Sequence, residues 1–255
     1  MQIIENIDYS PLPGGGGKGD LYLPETSKGF PVLLIHGGGW SAMDKLDVRG
    51  IAEFLCAELA LPIFNINYRL ASDFPWPACY DDCLAAADFL LHTEHEAFQK
   101  LERSRLFVIG GSAGGHLALM TGLGLPPEKV AGIVSISGIA DPIPDYMSTP
   151  ERYTQLFHHK EISAEEFCSI NPAYLLSTES PAILCTHAIE DNVVPMQSAV
   201  NFLEAAEKYR LSIESYFYSK KENGCSHRIW IPESEPHKLY PELETKITAF
   251  IRKLL

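Results

Sequence analysis

The sequence predicts an α/β fold: a mostly parallel, twisted sheet of about eight strands with helices on both faces. Three observations predict it. Short apolar runs recur at Val32–Ile35, 63–67, 106–109, 130–135 and 182–186. Segments with helical spacing separate most of them. Glycine-rich turns follow two of the runs directly. A strand that is apolar throughout is buried on both faces, as parallel strands covered by helices must be.

The elements follow in order. Residues 3–9 and 20–23, joined by a turn containing Gly14 to Gly17, read as an N-terminal hairpin. The strand at Val32–Ile35 comes next, then a helix near 48–59 and a strand at 63–67. A helix at 77–91 leads to a strand at 106–109, and a helix at 113–122 to a strand at 130–135. Residues 138–180 break the alternation, with one helix-like piece near 163–170. The order resumes with a strand at 182–186, a helix at 195–209, a strand at 213–218 and a last helix at 241–255. There is no internal repeat and no interdomain linker, so residues 1–255 read as one domain with 138–180 as a small lid-like insertion.

Composition bounds the partners. The chain has 255 residues, 46% of them hydrophobic, enough for a large core, and a formal net charge of −13. That charge argues against nucleic acid, anionic membranes and polyanionic substrates. The start, Met-Gln-Ile-Ile-Glu-Asn-Ile-Asp, has neither the basic nor the apolar region of a signal peptide, and no run approaches a membrane span. A cytoplasmic location is expected. The six cysteines, at 56, 79, 83, 168, 185 and 225, are scattered, and Cys56, Cys79, Cys83 and Cys185 fall in apolar patterns. They read as thiols in a reducing compartment rather than a disulfide framework. No metal site is apparent. Oligomeric state is not encoded in any feature of the sequence.

The chemistry concentrates in the loops. Residues 110 to 115 read Gly-Gly-Ser-Ala-Gly-Gly, a G-x-S-x-G pattern between a strand and a helix. Such a turn strains the serine backbone and lifts its hydroxyl clear of the sheet. Ser112 is therefore a candidate nucleophile, and a nucleophilic serine needs a base and an orienting carboxylate. The loop after the 182–186 strand carries Glu190 and Asp191. Asp191 is the candidate acid, and Glu190 its rival. His227, in the glycine-containing segment Asn223-Gly-Cys-Ser-His227, is the candidate base. The order Ser, Asp, His is the order of this architecture. Cys225, two residues from the base, would be an oxidation-sensitive neighbour. The other histidines read differently: His92 and His95 as helix surface, His158 and His159 as part of the insertion, His187 as pocket edge, His116 as local packing and His237 as a loop residue.

An acyl-transfer site also needs donors for a developing oxyanion. His36-Gly-Gly-Gly-Trp40 follows the strand at Val32–Ile35, where glycines let backbone N–H groups face a cavity. Gly38 and Gly39 are candidate donors, with the N–H of Ala113 as a third. Trp40 should flank this loop and help shape an acyl pocket. Tyr146, Met147, Tyr153 and Phe157 of the insertion are candidate pocket residues, with packing against the rim as the alternative. Arg69 and Asp82 could pair to hold the Tyr68 loop, a structural role.

Four segments carry a family resemblance: Gly19-Asp-Leu-Tyr-Leu-Pro24, His36 to Trp40, Asn67-Tyr-Arg-Leu70 with Phe74-Pro-Trp-Pro-Ala78, and Gly110 to His116. Together they resemble the α/β-hydrolase superfamily, in particular the hormone-sensitive-lipase-like esterases and the small bacterial acetyl and feruloyl xylan esterases. The resemblance spans about residues 19 to 255. It implies Ser112 as nucleophile, Asp191 as acid, His227 as base, and Gly38, Gly39 and Ala113 as the oxyanion hole. Two departures favour the small, capless esterases: Gly111 stands where the lipase-like branch has Asp, and only 31 residues precede Val32.

The expected activity is a cofactor-independent serine carboxylesterase on short acyl groups, with acetylated or feruloylated carbohydrate as the substrate class. An arylformamidase-type amide hydrolase is the alternative. A non-catalytic ligand receptor on the same fold is the reading from another class, but such receptors typically lose a triad member.

Overall fold

A computed structural model describes residues 1–211, 213–219, 227, 229 and 238–255. Its strands are β1 (Gln2–Asp8), β2 (Lys18–Leu23), β3 (Val32–Ile35), β4 (Ile63–Ile66), β5 (Leu106–Gly111), β6 (Val130–Ile136), β7 (Ile183–Ala188) and β8 (Glu214–Tyr218). They form one eight-stranded sheet in the order β1-β2-β4-β3-β5-β6-β7-β8. The β1–β2 and β2–β4 pairs are antiparallel. All pairs from β4 through β8 are parallel.

The strand side chains alternate between two cores, as a pleat of period two requires. Leu33, Ile35, Phe64, Ile66, Leu106 and Val108 face one cluster. Val32, Leu34, Ile63, Phe107 and Ile109 face the other. The first cluster is closed by α2 (Ala78–His92) and α3 (Ala113–Gly124), through residues such as Cys83, Ala87 and Leu117. The second is closed by α1 (Arg49–Leu59) and α8 (Pro241–Arg252), through Leu55, Ile247 and Phe250. Every residue of β3 and β6 is buried, which accounts for their unbroken apolar runs.

The sheet has its switch point at β3. The chain steps from β3 to β4 on one side, then returns to place β5 on the other. Ile35 lies opposite Gly110 in this register. Ligands of open α/β sheets bind beyond the strand C-termini where the order reverses. The two glycine motifs leave the sheet at that place, side by side.

Residues 138–180 are more helical than the sequence reading expected. Besides α6 (Ala164–Ser169), they contain α4 (Pro142–Ser148) and α5 (Pro150–Phe157). Both missed helices begin with proline at their first position, where a missing N–H costs nothing. The Asp141 side chain caps α4 by accepting from the Ile143 N–H at 3.0 Å. The signal was therefore present as Asp-Pro, an N-cap followed by a helix-starting proline. α7 (Gln197–Glu207) completes the set. His95 does not continue α2; it caps the short turn at Glu96–Phe98 instead.

Polar contacts tie the loops to this frame. Arg69 and Asp82 form a multidentate pair, with Nη2–Oδ1 at 2.6 Å and the Arg69 backbone N–H at 2.7 Å from Oδ2. Cys56, Cys79, Cys83 and Cys185 are buried free thiols, whereas Cys168 is exposed. Among the described residues no helix is long and apolar enough to cross a membrane.

Candidate active site

Ser112 stands between β5 and α3 with φ 56° and ψ −128°, a conformation rare for a residue with a Cβ. The surrounding glycines show what enforces it. A methyl group at Gly110 would lie 2.2 Å from the Gly114 carbonyl oxygen. One at Gly114 would lie 2.3 Å from the carbonyl oxygen of Ile35 and 2.4 Å from that of His36. Backbone atoms cannot move aside as a flexible side chain can, so the turn admits only glycine there. The Ser112 N–H donates to the Ile136 carbonyl at 2.9 Å, fastening the turn to β6.

The His36–Trp40 loop lies directly against this turn, since a methyl at Gly37 would meet the Ser112 Cβ at 3.2 Å. The loop's carbonyls are occupied inward. Gly37 O accepts from the Tyr68 hydroxyl at 2.9 Å. Gly38 O accepts from the N–H groups of Ser41 and Ala42, and Gly39 O from the Ser41 hydroxyl. The N–H groups of Gly38 and Gly39 donate to no acceptor among the described residues. Both glycines are partly exposed and have positive φ, 94° and 58°. Ala113 is the first residue of α3, so its N–H has no partner within the helix.

Below the loop two histidines are buried. The His36 ring stacks on Tyr68 with centroids 4.2 Å apart. The Trp40 indole donates to His116 Nδ1 at 3.2 Å, and the opposite nitrogen, Nε2, donates to the Ile170 carbonyl at 2.7 Å. Burial lowers both histidines to about 4, so the rings are neutral at pH 7. Trp40 itself has no exposed surface. This corrects its expected place at an acyl pocket: its N–H is satisfied inside the core, and it supports the loop from behind.

The candidate acid and base come from the other side. Asp191 follows β7, and its side chain is fully buried. Its Oδ1 accepts from the N–H groups of Val193 and Val194, each at 2.9 Å. Its Oδ2 lies 2.6 Å from His227 Nδ1. The rival Glu190 instead accepts from the Ser219 hydroxyl at the surface. His227 Nε2 is buried with no hydrogen-bond partner among the described residues. Ile229 packs against the elbow, because a methyl at Gly111 would meet its Cδ1 at 3.1 Å. A larger residue in place of Gly111 would collide there. His187 is a neighbour that the sequence placed only near the pocket edge. Its Nε2 donates to the Val194 carbonyl at 2.9 Å and stands 3.6 Å from Asp191 Oδ2. Burial lowers its pKa, keeping it neutral beside Asp191.

The insertion residues separate. Tyr146 packs edge-on against Tyr153 and Phe167 and lines a cavity of about 310 Å³ with Ile143 and Tyr174. Met147 is 80% exposed, and Tyr153 is wholly buried. Phe157 is buried too. Among the described residues, the hydrogen bond and ring pairs of Tyr146, Tyr153 and Phe157 are made to groups other than Ser112, Asp191 and His227. Cys225 and His237 lie outside the described residues.

The sheet and the loops at its switch point define an α/β-hydrolase fold. The chain belongs to the BD-FAE family of α/β-hydrolase esterases, whose model matches residues 20–206. Among curated relatives, a versiconal hemiacetal acetate esterase of Emericella nidulans is 33% identical over 144 residues, covering 54% of this chain and 47% of its own. The carboxylic ester hydrolase LipN of Mycobacterium tuberculosis is 32% identical over 120 residues, covering 44% and 31%. The chain thus spans about half or less of the length of the curated relatives it matches. Among solved structures, a truncated carbohydrate esterase from gut microbiota superposes with a TM-score of 0.77 at 21% identity, over 100% of this chain and 96% of that one. Esterase B of Lactobacillus rhamnosis gives 0.79 at 16% identity, over 99% and 85%. At these identities the structures speak for the fold.

Proposed function

We propose that the protein is a serine carboxylesterase that cleaves short-chain acyl esters through an acyl-serine intermediate, with carbohydrate esters as its substrate class. The observation that carries this reading is the 2.6 Å contact of His227 Nδ1 with Asp191 Oδ2, with the buried Nε2 left without a partner among the described residues. It lies at the sheet edge that presents Ser112 in its strained turn.

In this reading Asp191 fixes the imidazole tautomer with Nδ1–H toward the carboxylate. Nε2 is then the acceptor for the Ser112 proton as the hydroxyl attacks the ester carbonyl. Negative charge develops on the carbonyl oxygen, where the N–H groups of Gly38, Gly39 and Ala113 receive it. Their geometry is set before the reaction, so little reorganisation is needed when the charge appears. The imidazolium passes its proton to the leaving alcohol. Water then repeats the sequence on the acyl-serine and frees the acid.

Short acyl groups and carbohydrate are supported by the relatives: one is named an acetate esterase, and one structural neighbour a carbohydrate esterase. The test is a series of p-nitrophenyl esters from acetate to decanoate, with Ser112→Ala as control. Activity should peak at acetate or propionate and fall by about a thousandfold or more in the variant. A peak at decanoate would remove the short-chain assignment, and full activity in Ser112→Ala would remove the mechanism.

A further inference from the structure

One charged pair beside the site has no part in the mechanism above. Asp145 lies on α4 and Arg152 on α5. Asp145 is completely buried, and its Oδ1 accepts from Arg152 Nη1 at 2.6 Å. Burial raises the carboxyl's pKa, while the adjacent guanidinium opposes the shift. The pair is anchored inside the insertion, yet Arg152 reaches out of it. Its Nη2 is 3.4 Å from the carbonyl oxygen of Val193, two residues from Asp191. A methyl group at Gly39 would touch its Cδ and Nε, each at 3.8 Å. A single guanidinium therefore joins the insertion, the acid loop and the loop of candidate oxyanion donors.

A guanidinium carries five N–H donors in a fixed plane. Among the described residues Arg152 spends one on Asp145 and one on Val193. Its side chain keeps 16% of its surface, whereas that of Asp145 keeps none. The donors still available are thus reachable from solvent beside Gly39, and the counter-charge is not. This arrangement suits a neutral oxygen acceptor. Asp145 already offsets the positive charge, and the net charge of −13 disfavours an anionic partner.

We propose that Arg152 is a specificity-determining residue that donates to a hydroxyl or ether oxygen next to the scissile ester, selecting esters of sugars and other polyols over esters of plain alcohols. Asp145 is its positioning residue, holding the guanidinium over the oxyanion loop. This rests on the ester-hydrolase reading above and assigns the part of the site that reads the alcohol.

The experiment measures kcat/KM for an acetylated xyloside and glycerol monoacetate against ethyl acetate. Removing Arg152 alone would strand a buried carboxylate, so the decisive variant pairs Arg152→Met with Asp145→Asn, and Arg152→Lys keeps the charge without the planar fork. A ratio of two substrates on one sample is independent of how much of it is folded. The wild type should favour the hydroxylated acetates by about tenfold or more, the worth of one hydrogen bond from a charged donor. That ratio should fall to near one in the double variant and to an intermediate value in Arg152→Lys. Wild-type turnover of ethyl acetate with no preference for the hydroxylated esters would overturn the assignment and leave the esterase reading standing. An unchanged ratio in the double variant would overturn it as well. Failure of the wild type on all the acetates would bring down both readings together.

Discussion

The elbow around Ser112 and the insertion at 138–180 are held by different means. At the elbow, backbone meets backbone: Gly110, Gly114, Ile35 and His36 leave no room for a Cβ. In the insertion, side chains meet side chains. Tyr146, Tyr153 and Phe167 pack on one another, and Asp145 pairs with Arg152. The first kind of constraint has one chemical solution, glycine, and leaves a mark in the sequence. The second has many solutions of similar volume and leaves almost none.

The comparison can be broken by substitution, and the largest effect is expected among the loops that hold the proposed reacting groups. Asp191→Asn should cut kcat on p-nitrophenyl acetate by about 10⁴-fold, because the amide would favour the wrong imidazole tautomer. Glu190→Gln should change it less than about threefold, since its bond to Ser219 is at the surface. Equal losses in the two variants would mean that the acid has been misassigned.

Stability gives the next test. Gly114→Ala forces a methyl against two carbonyl oxygens and should destabilise the fold by about 3 kcal/mol or more. In the insertion, Tyr153→Phe loses one hydrogen bond to the Pro142 carbonyl and should cost about 1 kcal/mol. Urea unfolding of the two variants reads the contrast directly. A Gly114→Ala protein as stable as the wild type would show that the turn is not backbone-limited.

Between these two lies the pH dependence. His116 is buried neutral at about 4 against an ordinary value near 6.5. The unfolded chain takes the proton more readily than the folded one. Stability from this group is therefore complete above pH 6.5 and is lost as pH falls from about 6.5 to about 4, by about 3 kcal/mol. His116→Gln should take about 3 kcal/mol out of that fall and leave the similar contribution of His36 in place, with unfolding measured at pH 7 and pH 4.5. Parallel profiles would mean that His116 is protonated, or exposed, in the folded protein.

The same contrast explains what could be read from the sequence. The eight strands and the turns after β3 and β5 were legible, since each rests on a local pattern: an apolar run or a glycine cluster. The helices α4 and α5 were passed over, because residues 138–180 read as a break in the alternation, although Asp141-Pro142 carried the helix-start signal of α4. Trp40 was placed at the pocket because its position in the sequence adjoins Gly39. Its burial depends on His116, 76 positions away, and no local pattern encodes that. Arg152 was missed altogether, for its interest comes from three loops that only the fold brings together.

The central claim is that Ser112 is the nucleophile served by His227. The most direct measurement is labelling with a fluorophosphonate, followed by intact mass and peptide mapping. One adduct per chain is expected, located on the peptide carrying Ser112, absent in Ser112→Ala and slowed by at least about a hundredfold in His227→Ala. No adduct on the wild type, or an adduct on another residue, would contradict the account.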